Sequence, residues 1–449
     1  FRPLPDRGII LARVLGLLMV AYVTWLAVSL GWVTFSRASI LLGFLVVASL
    51  SALVLAARWR EIKGFLAGHW RLLLIGEGLF LLAFLAFAAI RAANPDLWHP
   101  RLGGEKPMEL AYLNAVLRST LMPPYDPWFA GGYLNYYYWG YFVVAIPVKI
   151  TGILPTTAFN LAVPLFFALT VTSAYSLVYN LAAGAMRSRT ARREAVLPSP
   201  LTGEGQDGGG AEKQRGQVFW GPMGAGLAAG VLVAVIGNLD GAVQLAQGAW
   251  RQVVNGQSFP PFDFWRSSRM VPELENFDPS PLAFWVPDRV ATALDKSSHI
   301  TEFPFFTFLF ADLHAHLMAI PFALLVIGLG LTLVVAPRQV GARWGWLAAA
   351  SAMLALALGA LWVINSWDYP SYLLLTLALL GLAVLLRPGP ARRKLLLWAA
   401  LGSGVVAVSF LAFLPFHQAY ETFDTGLEAS RWRTPIDRYL AIHGLFLFI

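Results

Sequence analysis

Apolar residues along this chain gather into long runs separated by short charged stretches or by longer mixed ones. The runs cover residues 9–33, 40–57, 72–90, 155–183, 218–236, 317–335, 344–364, 372–386 and 395–414. A helix needs roughly 20 apolar residues to cross about 30 Å of hydrocarbon, and most of these runs reach or approach that length. A further run begins near Tyr439 and is still apolar at Ile449, so the natural protein is expected to continue. In lipid an unbroken segment satisfies its own backbone groups only as a helix. The pattern therefore predicts an all-α polytopic membrane protein, a bundle of transmembrane helices.

Basic residues orient the bundle. Arg58, Arg60, Lys63 and Arg71 mark one short loop, Arg187, Arg189, Arg192 and Arg193 another, Arg338 and Arg343 a third, and Arg387, Arg392, Arg393 and Lys394 a fourth. Lys and Arg concentrate on the cytoplasmic side. These loops are mutually consistent if the N-terminus is cytoplasmic and one crossing separates residue 90 from Arg187. Residues 136–154 then cannot be a full span. Their apolar part is short and holds Pro147, and six aromatic residues between Tyr133 and Tyr141 are typical of the headgroup belt. They are expected to form an interfacial or partly inserted helix.

The organisation expected is three transmembrane helices in 1–90, an extracytoplasmic loop with interfacial helices in 91–154, and transmembrane helices in 155–236. A second extracytoplasmic loop follows in 237–316, then C-terminal transmembrane helices in 317–449. Residues 197–217, rich in Gly and Gln without periodicity, read as a disordered cytoplasmic linker. Gly226 and Gly230 form a small-residue pair suited to close helix packing.

Composition agrees and narrows the function. Of 449 residues 57% are hydrophobic and 13% charged, well short of the roughly 25% charged residues of soluble domains. The net charge of +8 resides mainly in the short loops, which makes it a topology signal and argues against nucleic acid as a partner. Cysteine is absent, which excludes disulfides and thiolate metal sites. The partners implied are membrane lipid and whatever meets the long loops, and the location is the cell membrane.

Those loops hold the candidate chemistry. Gly104-Glu105-Lys106-Pro107 looks like a helix start, with Met108, Tyr112, Ala115 and Val116 as an apolar stripe lying on the membrane. Glu105 would then sit at the positive end of a helix dipole, where a carboxylate stays ionised and can act as a base, and Lys106 could meet an anion. Asp240 follows the run 218–236 at the same predicted boundary, either as a second functional acid or as a turn residue. Arg266 and Arg269, with Ser267 and Ser268 between them, suit a phosphate, or else stack on tryptophan to order the loop. In Asp312-Leu313-His314-Ala315-His316 a helix would place Asp312 and His316 on one face and His314 elsewhere. Carboxylate and imidazole there could bind a divalent metal (Mg²⁺, Mn²⁺ or Zn²⁺) or form an acid–base pair. Tyr137 and Trp139, within Tyr136-Tyr137-Tyr138-Trp139, could stack on a sugar ring or an isoprenoid, or serve as interfacial anchors.

Two resemblances follow from these residues. The order GGEKPMELAYLNAVLRS, PPYDPW, GGYLNYYYWGYFVVAIPVKITG is similar to the first extracytoplasmic loop of the GT-C membrane glycosyltransferases, where an acid opens an interfacial helix and an aromatic, proline-bearing segment follows. More closely, LNYYYWGY, FWRSSR and TEFPFFTFLFADLHAH resemble the triple-tyrosine (YYY) family of uncharacterised multi-spanning membrane proteins of Chloroflexi and archaea (DUF2298), grouped with the GT-C superfamily. The chain departs from the usual GT-C layout in having three spans before this loop instead of one. The resemblance implies an inverting glycosyltransferase that takes a sugar from a polyprenyl-phosphate donor and passes it to an unknown acceptor on the non-cytoplasmic face. Glu105 would be the base, with Asp240 assisting or holding a metal. Lys106, Arg266 and Arg269 would bind the phosphate. Two other readings stand beside it: a membrane metal-dependent hydrolase built on Asp312, His314 and His316, and a lipid or polysaccharide transporter or assembly protein without catalysis. Transport predicts ionisable residues in midspan, and few are seen; Glu77 stands out, near the start of its span.

Overall fold

A computed structural model of the chain describes residues 1–99, 104–196, 208–271, 299–336, 344–421 and 434–448, the side chains of 190–196, 208–220 and 344 excepted. Residues 197–207, Arg338, Arg343 and the loop 272–298 lie outside the described residues. Among those described, the regular structure is helical, apart from two isolated antiparallel bridges, Tyr125 to Tyr133 and Val271 to His299. The helices run in order α1 (Ala12–Ser29), α2 (Arg37–Ala57), α3 (Trp59–Gly68), α4 (Trp70–Ala93), α5 (Lys106–Arg118), α6 (Tyr138–Thr151), α7 (Pro155–Val196), α8 (Gly208–Ala234) and α9 (Asp240–Val254). They continue with α10 (Pro304–Phe310), α11 (Ala315–Val335), α12 (Trp344–Ile364), α13 (Asp368–Leu385), α14 (Ala391–Leu411), α15 (Leu414–Ala419) and α16 (Ile436–Phe448). Eight of them, α1, α2, α4, α7, α11, α12, α13 and α14, are long and apolar enough among the described residues to cross a membrane. The chain is a multi-pass helical membrane protein.

The chain divides into two compact units. The first comprises Phe1–Val233 and Asp312–Glu421. Its centre is α7, α11 and α12, which are mostly buried, while α2, α4 and α14 keep most of their apolar surface exposed. Exposed Leu45, Leu82 and Leu395 on those outer helices are what lipid contact requires, since hydrocarbon does not penalise them. Local signals start and stop several elements. Ser36 and Ser39 exchange bonds at the α2 start, the Ser36 amide donating to Ser39 Oγ at 2.9 Å and the Ser39 amide to Ser36 Oγ at 3.3 Å. Gly152, at φ 73°, ends α6 in the left-handed conformation.

Helix α6, expected to be interfacial or partly inserted, is a core element of its unit. Almost every residue from Tyr138 to Val148 is buried, and the helix packs against α1, α2, α5, α7 and α12. At 14 residues it spans about 21 Å, too short to cross the bilayer. An apolar run with aromatic residues reads the same whether lipid or protein surrounds it, which is why the pattern pointed to the interface. Gly226 and Gly230 do serve close packing. A Cβ on Gly226 would lie 2.9 Å from the Tyr175 carbonyl oxygen, and one on Gly230 would lie 3.3 Å from that of Val171, so α7 and α8 approach backbone to backbone. Helix α8 begins at Gly208, inside the segment expected to be a linker.

The second unit comprises Ala234–Ala311 and Thr422–Ile449. The C-terminal segment belongs here and not with the preceding spans. Ala441 and Ile442 of α16 pack on Val243 and Met270, and the Leu239 amide donates to the Ala441 carbonyl at 2.9 Å. A short turn, Arg266–Ser268, is tied to the start of α9 by Asn238, whose Nδ2 donates to the Ser267 carbonyl at 2.6 Å.

Candidate functional site

A cluster of ionisable groups of the first unit gathers at the N-terminus of α5. Gly104, at φ 62°, turns the chain. Glu105 then occupies the N-cap and Pro107 lies in the first turn, where a missing amide costs nothing. The first amides of any helix lack internal partners. Here Asp312 supplies one, its Oδ2 accepting from the Glu105 amide at 3.1 Å, while Oδ1 lies 3.2 Å from the Lys106 ammonium. Both side chains of that pair are nearly buried. Asp312 can do this because Ala311, at φ 61°, stops α10 and α11 does not begin until Ala315. The stretch 311–314 is therefore not helical, and the expected i, i+4 arrangement of Asp312 and His316 does not form.

His314 instead faces the two glutamates. Its Nε2 lies 3.2 Å from Glu105 Oε2 and meets the Tyr136 hydroxyl. Its Nδ1 is 2.7 Å from His316 Nδ1, so one of these two nitrogens carries a proton. Glu109 stands one helical turn after Glu105 and is completely buried. One ligand atom each from Glu105, Glu109 and His314 falls within 4.8 Å of the others. Among the described residues this is the group of carboxylates and imidazoles close enough to share one ion; Asp312 and His316, expected as ligands beside His314, belong instead to Lys106 and to the His314 ring edge.

The triple tyrosine sends its side chains three ways because Tyr137 adopts a left-handed conformation at φ 45°. Tyr136 turns into the site, edge-on to His314 and 5.5 Å from the Tyr112 ring centre. Tyr137 shares a hydrogen bond with Ser366 Oγ at 3.1 Å. Tyr138 is buried and accepts from Trp25 Nε1 at 3.1 Å. Trp139 is fully buried, edge-on to Phe322 and Phe413. It therefore packs the core and offers no face to a sugar, contrary to the expectation for it. Lys106 likewise points inward to Asp312 and is not placed as a surface phosphate ligand.

The environments pull the carboxyl groups apart. The hydrogen bond from His314 holds Glu105 below its ordinary pKa, although partial burial opposes this. Burial pushes Glu109 well above the usual range, aided by the negative charge of Asp312. The Leu313 amide turns toward Glu109 without closing a hydrogen bond to either oxygen. Burial also raises Asp312, against the pull of Lys106. Two carboxyl groups whose pKa values diverge in one pocket are what acid–base chemistry requires.

Asp240 and the two arginines lie in the second unit. Asp240 opens α9 and does not close the preceding span. It is completely buried and paired with Arg266, Nε to Oδ1 at 2.8 Å. Gln244 Nε2 donates to its Oδ2 at 2.7 Å, and Arg266 also donates to Gln247 Oε1 at 3.2 Å. Arg269 pairs with Glu302 at 3.1 Å and lies over the Trp265 ring, which is loop-ordering stacking. Both guanidinium groups are thus engaged by carboxylates of their own unit. Sequence reasoning missed Glu109, although its spacing from Tyr112 and Val116 places it on the buried stripe of α5.

These features define a class: a polytopic α-helical membrane protein with a largely buried, mixed-charge cluster built where a short helix outside the spans meets the start of one. Within that class, the chain belongs to the family described as uncharacterized membrane protein (DUF2298), whose profile matches residues 19–449. Neither a curated protein nor a solved structure matches the chain.

Proposed function

We propose that this protein is a GT-C-type glycosyltransferase that moves a sugar from a polyprenyl-phosphate donor to an acceptor on the non-cytoplasmic face. Glu105 carries the reading. Its side chain is about half exposed, 52%, at the mouth of an otherwise buried cluster, and it is held ionised by His314. An acceptor hydroxyl reaching Glu105 would give up its proton to the carboxylate as its oxygen bonds to the anomeric carbon. The carbon–phosphate oxygen bond breaks on the opposite face, and polyprenyl phosphate leaves. The configuration inverts. General-base assistance of this kind contributes about 10²–10⁴-fold. Asp312 and Lys106 act as positioning residues, since they secure the turn that presents Glu105. Asp240, buried and neutralised by Arg266, takes no part in this proton transfer.

The test uses the full chain in liposomes with polyprenyl-phosphate carriers bearing labelled hexoses or pentoses, together with a water-soluble cell-envelope extract as the source of acceptor hydroxyls. Loss of label from the lipid fraction should be seen with the native protein and fall by about 10²-fold or more in Glu105→Gln. The Gln variant must elute and melt like the native protein. A native protein that releases no label from any carrier, or a Glu105→Gln variant of equal rate, overturns the reading.

A further inference from the structure

We infer that Glu105, Glu109 and His314 form a binding site for one divalent cation of the Zn²⁺ or Mn²⁺ class. Three observations combine. Their ligand atoms lie within 4.8 Å of one another, a separation that one ion at about 2.0–2.2 Å from each ligand can bridge after small side-chain adjustments. Glu109 is fully buried and neither carboxylate oxygen has a hydrogen-bond partner. A buried carboxylate left without partners costs several kcal/mol, and its removal from water is ordinarily offset by a cation or a metal. Lys106 is bound to Asp312; its charge reaches Glu109 and favours the ionised form, but no hydrogen bond to either Glu109 oxygen is closed. The third observation is the support behind the imidazole. A ligating histidine uses one ring nitrogen and gives the other a partner that sets its orientation. In His314 Nδ1 is the supported nitrogen, against His316, and Nε2 is the one that would ligate; it faces Glu105 and the Tyr136 hydroxyl, which the ion would displace.

Two carboxylates and an imidazole favour Zn²⁺ or Mn²⁺ over Mg²⁺ and Ca²⁺, which prefer all-oxygen sets. Glu109 and His314 would hold the ion from within, and Glu105 would close it from the exposed side. With the ion bound, His314 Nε2 would no longer donate to Glu105; the cation would take over in keeping that carboxylate ionised, and its second oxygen would stay free to take a proton. The site rests on side-chain placement alone and stands or falls independently of sugar transfer.

The experiment strips the purified full chain with chelator, dialyses it against Zn²⁺ alone or Mn²⁺ alone, and counts retained metal by mass spectrometry. The native protein and the surface control Asp126→Asn should keep about one ion per chain. Glu109→Gln and His314→Gln should lose at least 90% of it while eluting as the native protein does. Should those variants not fold, Co²⁺ titration of the native chain decides. Visible absorption that saturates near one equivalent and is displaced by Zn²⁺ supports the site, and its absence overturns it. A native protein that retains no ion overturns the proposal, as does an ion that survives Glu109→Gln but is lost in Asp312→Asn and His316→Gln.

Discussion

Replacing Lys106 by Met removes the cation that the buried Asp312 faces. The ammonium and Oδ1 are 3.2 Å apart. Coulomb's law at an effective dielectric constant near 20 gives about 5 kcal/mol for such a pair, and breaking a buried pair from one side costs roughly 3–5 kcal/mol. Asp312 limits the loss by taking up a proton. Its pKa is already raised by burial and rises further once the ammonium is gone. Between its pKa in the native protein and that in the variant, the folded variant binds one proton more than the folded native protein. Across that window the penalty therefore grows with pH, by at most about 1.4 kcal/mol per unit. The expected result is a loss of about 3–5 kcal/mol at pH 8 and a smaller one at pH 5. Lys106→Met/Asp312→Asn should recover at least half, because the amide still accepts from the Glu105 backbone and carries no charge. Reversible unfolding in mixed micelles, followed by tryptophan fluorescence, measures each term. A single-variant loss below about 1 kcal/mol, or a double variant as unstable as the sum of the singles, would refute a buried ion pair here.

Other outcomes follow from the same packing. His417 is ringed by Trp362, Phe410 and Phe416, and burial pushes its pKa down to about 4 from an unfolded value near 6.5. The unfolded chain then binds the extra proton, so stability present above pH 6.5 is lost as pH falls from 6.5 toward 4. His417→Phe should flatten that part of the melting-temperature profile, and an unchanged profile counts against it. Gly226→Leu should cost about 1–3 kcal/mol by overpacking α7 against α8, whereas Gly224→Leu, with open space at its Cβ, should melt like the native chain. Arg266→Met leaves Asp240 buried without its cation and should speed hydrogen exchange across residues 238–268; protection equal to native there would show that the pair contributes nothing to the second unit.

What the sequence made legible is what lipid imposes. The runs that became α1, α2, α4, α7 and α11–α14 are recognisable because charge is costly along about 20 consecutive residues in hydrocarbon, a condition that does not depend on neighbours. Helix α6 was not legible as a core element, since burial in protein and in lipid select the same residues. The segment 311–314 was misread for a different reason. Asp312 and His316 fall on one face only if the helix reaches back to Asp312. Where α11 starts is decided by the left-handed turn at Ala311, a non-glycine residue that gives no sign of it, and by Asp312 serving the end of α5 some 200 residues earlier in the chain.

Glu109 shows how the remaining part of the site could have been found. The buried face of α5 is Lys106, Glu109, Tyr112, Leu113 and Val116, spaced at three, three, one and three residues, the stripe of a helix that packs on one side. Charged residues at the first two positions of such a stripe break the binary pattern, and Lys106 already pairs with Asp312. A sequence tolerates a break of that kind only where something in the folded protein compensates the charge, or where the break is the function. The stripe expected from the sequence, Met108, Tyr112, Ala115 and Val116, lies on the membrane surface and leaves position 109 to water, and so Glu109 carried no signal; in the fold Met108 and Ala115 are not on the buried face. Once α5 packs on α6 the same residue becomes the costliest group in the pocket. The surrounding side chains then divide into Lys106, which is paired with Asp312, and Glu105 and His314, which pair with each other and bring their ligand atoms within reach of Glu109. That division singles out one set of three residues, and it makes Glu109→Gln, more than any change to Glu105, the substitution that separates a cation site from a simple acid–base pair.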